Sequence, residues 1–284
     1  MSTDDYRRAL MLREMGITTW TSRLQAPEAG EAFVAPAVDL PQHEHPLPDL
    51  AARTERTSAA HDAGAAPSQQ ALGVAVAKTA PPAAESAGRA AHIADMDWDQ
   101  LAATVSACDA CGLCRTRKQT VFGVGARNAR WMLVGEAPGA EEDARGEPFV
   151  GQAGRLLDAM LTANGLKRSA DVFIANVLKC RPPGNRDPQP EEVAACEPYL
   201  LRQLELVNPD VVVVLGRFAA QSLLATDASI ARMRGQAHHI EVAGRRVPVI
   251  VTYHPAYLLR TLSDKAKAWA DWCLAADTLA AERA

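Results

Sequence analysis

Four short runs of β-branched and aromatic residues, Trp131–Val134, Val172–Ile174, Val211–Leu215 and Val247–Thr252, alternate with stretches of helical spacing at about 152–164, 190–207, 217–225 and 264–281. Strands that alternate with helices must pair in parallel, and both faces of such a sheet need covering. The α/β class follows, with one core built from roughly 185 residues, ample for a single domain of this kind. A plausible opening helix, Asp97-Trp-Asp-Gln-Leu-Ala-Ala-Thr-Val, is capped by Asp97, so the folded domain is expected over 93–284.

What precedes that domain reads differently. Residues 24–92 are rich in Ala, Pro, Gly and Ser, with few aromatics and no sustained period. Such a segment buries too little apolar surface to offset its ordering entropy, so a disordered linker is expected. Residues 1–23 hold a short helix from Tyr6 to Trp20, with apolar Ala9, Leu10, Leu12, Met15 and Ile17. About fifteen residues is marginal for an isolated helix in water, so it needs a docking surface or a protein partner.

Charge and cysteine content narrow the function. The net charge of the 284-residue chain is −4, but the acids concentrate early. Residues 1–97 carry 13 acids and 8 Lys/Arg, and residues 98–284 carry 21 acids and 22 Lys/Arg. A nucleic-acid face in the domain must therefore come from local clustering, with salt-sensitive phosphate binding. No apolar run reaches the roughly 18–20 residues that cross a bilayer, and the first residues lack a secretory pattern. A cytoplasmic location is the expectation.

Six cysteines in such a chain favour metal binding or catalysis over disulfides. Cys108 and Cys111 form a CxxC; Cys180 and Cys196 follow downstream, separated by fifteen residues. Spacing alone leaves iron and zinc open, and Cys114 competes with Cys111 as a ligand. Cys273 reads as a core residue beside Trp272.

Two corners just past strand ends carry ionisable side chains, Glu136 in Gly135-Glu-Ala-Pro-Gly139 and His254 in Tyr253-His-Pro-Ala-Tyr. Ligands of open α/β sheets bind at such ends. Each corner also has a plainer reading, a strand-to-helix turn for the first and a structural histidine for the second. Phe149, in Gly146-Glu-Pro-Phe-Val-Gly151, is either core or a platform for a base. Asn176 either satisfies backbone or reads a base edge with its donor and acceptor. Leu258-Leu259-Arg260 either begins a helix or wedges into a duplex.

In order, the CxxC, Val121-Phe-Gly, GEAPG, GEPFVG, NVLKCRPPGNR, a second lone cysteine, MRG and HPAYLLR resemble the family 4 uracil-DNA glycosylases, the iron–sulfur branch of that superfamily. The resemblance covers roughly Ala107 to Asp277 and leaves the first hundred residues unexplained. It implies a three-layer α/β/α fold around a central four-stranded parallel sheet. It also implies a [4Fe–4S] cluster on Cys108, Cys111, Cys180 and Cys196, with Cys114 not needed.

Carried over by motif, Glu136 and Ala137 fall in the water-activating segment, and Asn185 becomes a second polar group near the attacking water. Glu142 becomes the wall that rejects the thymine methyl, Phe149 the stacking ring, Asn176 the reader of the uracil edge, and His254 the group facing uracil O2. Arg234, Leu258, Leu259 and Arg260 become DNA contacts, the late loop filling the gap left by an extruded nucleotide.

The implied activity is hydrolysis of the N-glycosidic bond of uracil in DNA, leaving an abasic site and starting base excision repair. A sister branch links covalently to DNA through a histidine in a basic insertion. Ile230–His239 has no such insertion, so turnover is expected. The second reading is a non-catalytic iron–sulfur DNA-binding module of a replication or repair assembly.

Overall fold

The computed structural model describes residues 83–281, so the expected helix over 1–23 and most of the expected linker lie outside the described residues. Five-residue strands β2 (Trp131–Gly135), β3 (Val172–Asn176) and β4 (Val211–Leu215) are buried along their whole length. That is why their sequences are continuous apolar runs with no alternation. They join β1 (Val124–Gly125), β5 (Ala237–Val242) and β6 (Arg245–Thr252) in one sheet of order β1-β3-β2-β4-β6-β5. The pairings β3-β2, β2-β4 and β4-β6 are parallel, and β1 and β5 pair antiparallel at the two edges.

Helices cover both faces. Alternate residues of each inner strand face opposite ways, so Leu133, Ile174, Val213 and Ile250 share one core with Leu157 and Met160 of α4 (Gln152–Ala163) and Trp272 of α9 (Lys265–Ala281). Their neighbours Val134, Phe173, Val212 and Val249 share the other with Leu200 and Leu204 of α5 (Pro190–Val207) and Ala219 and Ala220 of α6 (Arg217–Leu223). Trp131 and Trp272 stack with centroids 6.1 Å apart, tying β2 to the last helix.

The four strands read from the sequence form the parallel centre of the sheet, and among the described residues two antiparallel edge strands, β1 and β5, were not expected. β1 is only two residues long, and its Gly125 passes so near β3 that a Cβ would stand 2.0 Å from the Val172 carbonyl oxygen. A run that short has no period to read. β5 escaped notice because its hairpin turn, Ala243-Gly244, lacks the usual Asn-Gly signature, although both residues take positive φ (48° and 76°).

At the domain boundary, residues 83–94 form a helix, α1 (Ala83–Ala94), which overlaps the end of the expected linker over 24–92. Its Ile93 is buried with Met96, Leu101, Val105 and Tyr199, and the Arg89 guanidinium lies 4.8 Å from the Tyr199 ring centroid. Docking supplies the stability that a twelve-residue helix lacks on its own, even one rich in Ala. α2 (Trp98–Ser106) begins as expected, with Asp97 accepting from the amides of Asp99 and Gln100. Among the described residues no helix is long and apolar enough to cross a membrane.

Candidate active site

The carboxyl ends of the inner strands are level, since Gly135 of β2 stands opposite Asn176 of β3, and Leu215 of β4 opposite Thr252 of β6. Each strand therefore delivers its next residues to the same edge: Glu136 from β2, Asn176 from β3, Gly216 and Arg217 from β4, and His254 from β6. This edge is where open parallel sheets bind ligands.

Close packing forms the floor. A Cβ on Gly135 would stand 2.4 Å from Asn176 Oδ1 and 2.7 Å from the Phe149 ring, so Asn176 and Phe149 meet over this glycine. Asn176 is buried, and its Oδ1 has no hydrogen-bond partner among the described residues. A buried carbonyl without a donor costs about 1–3 kcal/mol, which a bound N–H group would relieve. The Phe149 and His254 rings lie with centroids 5.4 Å apart, tilted by 31°. Gly216, at a φ of 101°, packs against the late corner, where a Cβ on it would stand 3.1 Å from the His254 Cβ.

Phe149 is held in a conformation that phenylalanine disfavours, with φ of 53°. Left-handed backbone in such a residue costs about 1–3 kcal/mol and persists only where the surroundings impose it. Here Glu142 Oε1, on α3 (Ala140–Arg145), accepts from the amides of Val150 (2.9 Å) and Gly151 (3.2 Å). Arg168 donates to the Pro148 carbonyl. Gly154 lets α4 come in so close that a Cβ would overlap the Phe149 carbonyl oxygen. Glu142 thus fastens the turn that presents the ring, and its Oε2 lies 2.5 Å from where a Gly139 Cβ would be.

His254 caps α8 (Pro255–Arg260), and its Nδ1 accepts from the Ala256 amide at 3.1 Å. Burial pushes its pKa down to about 4, helped by Arg260 and opposed by Glu142. A neutral ring whose Nδ1 is an acceptor carries its proton on Nε2, so His254 is a neutral hydrogen-bond donor near pH 7. Glu136 moves the opposite way. Burial and the nearby Asp187 carboxylate raise its pKa to about 7, against Arg217. Two ionisable groups at one sheet edge, shifted apart by their surroundings, mark a functional site.

Not every expected residue is brought in. Asn185 is exposed, and its Oδ1 accepts from Arg181 Nε at 2.7 Å; the member of that loop whose charge Glu136 feels is Asp187. Leu258 is fully buried in the core and presents nothing to a duplex, whereas Leu259 is 39% exposed and Arg260 is exposed beside it. Arg234 is turned inward, with Nε 2.7 Å from Asp271 Oδ2. Asp187, Arg217 and Gly216 went unremarked in the sequence. Arg217 had a usable signal, since it follows a strand end just as Glu136 does.

The cysteines gather beside this edge. Cys180 and Cys196 are buried with Leu113 and Leu178, and Cys111 and Ala137, next to Glu136, pack against them. Cys180 feels the charge of Cys111 and Cys108, and Cys196 that of Cys111 and Cys180. Cys114 lies beside Cys111. Among the described residues no three His, Cys, Asp or Glu side chains stand close enough to hold a single metal ion.

Cations surround the thiols. Arg117 Nη1 donates to Cys180 Sγ at 3.2 Å, and Arg89 Nη2 is 4.0 Å from Cys108 Sγ. The ammonium of Lys179 is wholly buried between the Asn176 carbonyl and Gln203 Oε1, both at 2.7 Å. Burial lowers its pKa to about 8 and raises that of Cys196 to about 12.

An α/β fold with a neutral donor, a perturbed carboxyl and an unclaimed amide oxygen at one sheet edge is the arrangement of an enzyme site. Residues 122–273 match the family model described as "Uracil DNA glycosylase superfamily". A type-4 uracil-DNA glycosylase of Archaeoglobus fulgidus is 50% identical over 165 residues, 57% of this chain and 82% of the relative. One of Thermotoga maritima is 48% identical over 162 residues, 57% of this chain and 82% of that protein. A type-5 uracil-DNA glycosylase of Pyrobaculum aerophilum is 35% identical over 145 residues, 46% and 63% of the two chains. The chain belongs to the type-4 family of the uracil-DNA glycosylase superfamily.

Proposed function

We propose that this protein is a monofunctional uracil-DNA glycosylase, which extrudes uracil from DNA, hydrolyses its N-glycosidic bond and leaves an abasic site for base excision repair. The observation that carries the residue roles is the unpartnered Asn176 Oδ1, buried against Phe149 with His254 across from it. Uracil offers N3–H to that acceptor, where cytosine offers a lone pair. Phe149 stacks on the extruded ring, an interaction worth about 1–3 kcal/mol. Glu142 and the turn it fastens form the wall beside the ring and limit what fits at uracil C5, and Ala137 lines the corner.

As the N1–C1′ bond breaks, charge develops on uracil O2, and the neutral Nε2–H of His254 donates to it. A fixed donor aimed at developing charge is worth about 10²–10³ in rate. Glu136, as carboxylate, faces the cationic sugar. Water adds to C1′, and its proton passes to Glu136. Asn185, two residues before Asp187, is assigned to the mouth of the water site. Leu259 and Arg260 enter the duplex and fill the vacated space.

Cys108, Cys111, Cys180 and Cys196 would hold a [4Fe–4S] cluster. Cys111, Cys180 and Cys196 pack in one cluster, Cys108 acts on Cys180 through its charge, and the cations of Arg89, Arg117 and Lys179 nearby suit an anionic group. Its contribution is structural, tying the CxxC loop, the β3 end and α5 together. The protein acts as a monomer in the cytoplasm at the nucleoid, and residues 1–23 engage a protein partner.

A uracil-containing oligonucleotide incubated with the protein, then treated with alkali, should break at uracil. Glu136→Ala and His254→Ala should each lose tenfold or more, about 1.4 kcal/mol of barrier. Binding without scission by the wild type would favour a non-catalytic module, and purified protein without iron and sulfide would remove the cluster.

A further inference from the structure

Arg234 follows α7 (Ile230–Met233), in the Met-Arg-Gly step where the resemblance implies a DNA contact. The structure commits its guanidinium elsewhere. Nε and Nη2 both lie 2.7 Å from Asp271 Oδ2 of α9, and Nη2 donates to the Lys267 carbonyl at 2.6 Å. The two side chains are 11% and 1% exposed, too little for an oxygen of DNA to reach without breaking the pair. The plane that remains is occupied, since the guanidinium carbon sits 4.2 Å from the Tyr253 ring centroid.

Tyr253 is the residue before His254. Its ring packs on that of Tyr257, centroids 4.9 Å apart, and Tyr257 Oη donates to Asp264 Oδ2 at 2.7 Å. Asp264 Oδ1 in turn holds Lys267 Nζ at 2.8 Å, on the same helix turn whose carbonyl Arg234 takes. The network closes on itself and brackets the His254 corner from before and after. A cation over an aromatic face is orientationally selective, because only the face of the ring attracts it.

We propose that Arg234 is a positioning residue for uracil excision: paired with Asp271, it fixes the Tyr253 ring and through it the direction of the His254 donor, and it does not bind phosphate. This rests on the glycosylase reading above. A donor displaced by an ångström loses rate while DNA affinity is kept, because the groove contacts are made elsewhere.

The test is single-turnover uracil release at saturating enzyme, alongside the salt dependence of affinity for a duplex carrying an abasic-site analogue. Arg234→Met leaves Asp271 buried without its partner, so the double variant Arg234→Met with Asp271→Leu is made beside it. Both variants should release uracil at least tenfold more slowly, with the wild-type slope of log affinity against log salt. Arg234→Lys keeps the charge but cannot fork onto Asp271 or lie flat on Tyr253, so it should recover less than a third of the lost rate. Tyr253→Leu should match Arg234→Met, and Tyr253→Phe should match the wild type.

A salt slope reduced by about one in Arg234→Met, restored in Arg234→Lys, would make it a phosphate ligand and overturn the proposal. So would a folded double variant with wild-type release, which would reduce the pair to a fold contact. A wild-type protein that releases no uracil fails the glycosylase reading itself, and that is read before any variant.

Discussion

The two corners of the site reach the same edge by different means. The early corner, Gly135 to Gly139, is specified by side chains that are missing: Asn176 Oδ1 and the Phe149 ring occupy the space a Gly135 side chain would fill. The late corner, Tyr253 to Arg260, is specified by side chains that are present, the Arg234–Asp271 pair and the Tyr253–Tyr257 stack. The first is stiff because close packing leaves it no alternative. The second is stiff only while its ion pair and ring contacts persist. Strand ends alone do not make a site; each needs a device that stops the following residues from wandering.

That contrast is broken most sharply at the early corner. Gly135→Ala puts a methyl 2.4 Å from Asn176 Oδ1 and 2.7 Å from Phe149, both parts of tightly held elements. Uracil release should fall about 1000-fold, near 4 kcal/mol of barrier. Gly139→Ala meets Glu142 Oε2 at a similar 2.5 Å, but that is the far end of a flexible side chain. Its effect should stay below about threefold. Equal losses in single-turnover assays would show that the corner is not specified by packing at Gly135.

The corners should also respond to pH with opposite sign. His254 has its pKa lowered to about 4, so folding disfavours its proton. Its contribution is complete above about pH 6.5 and is lost as pH falls through 4, up to about 3 kcal/mol. Glu136 has its pKa raised to about 7, so its contribution is complete below about 4.5 and is lost as pH rises through 7. Partial exposure screens this second effect, leaving about 1–2 kcal/mol. Urea midpoints at pH 4 and 8 should therefore converge in His254→Gln relative to wild type. In Glu136→Gln the variant should gain on wild type at pH 8. The same sign for both would remove the asymmetry. In activity, the rate should rise with a midpoint near pH 7, and Glu136→Gln should erase that limb.

How much of this was legible in the sequence follows from the same contrast. Glu136 and His254 stood out because each follows an apolar run and adjoins Gly or Pro, which are local signals. The inner strands were legible for the same reason, being continuous apolar runs. Asp187 and Arg217 act on Glu136 through space, and Arg234 finds Asp271 across 37 residues. No local period encodes such pairs, so Arg234 reads as one more basic residue near DNA. α1 was hidden because its composition resembles the linker before it, and only Ile93 and Arg89 betray the surface it docks on.

The smallest effect separates two adjacent leucines of the late corner. Leu258 is fully buried among core residues, so truncating it tests packing and says nothing of DNA. Leu259 is 39% exposed next to Arg260, and its side chain has no core to lose. Leu259→Ala should leave the urea midpoint unchanged and slow uracil release from duplex by about threefold, ~0.7 kcal/mol. From single-stranded DNA, where no stack must be opened and no gap filled, the same variant should release uracil at the wild-type rate. An equal loss on both substrates would mean that Leu259 touches the extruded nucleotide itself, and the late corner would then serve the pocket and not the duplex.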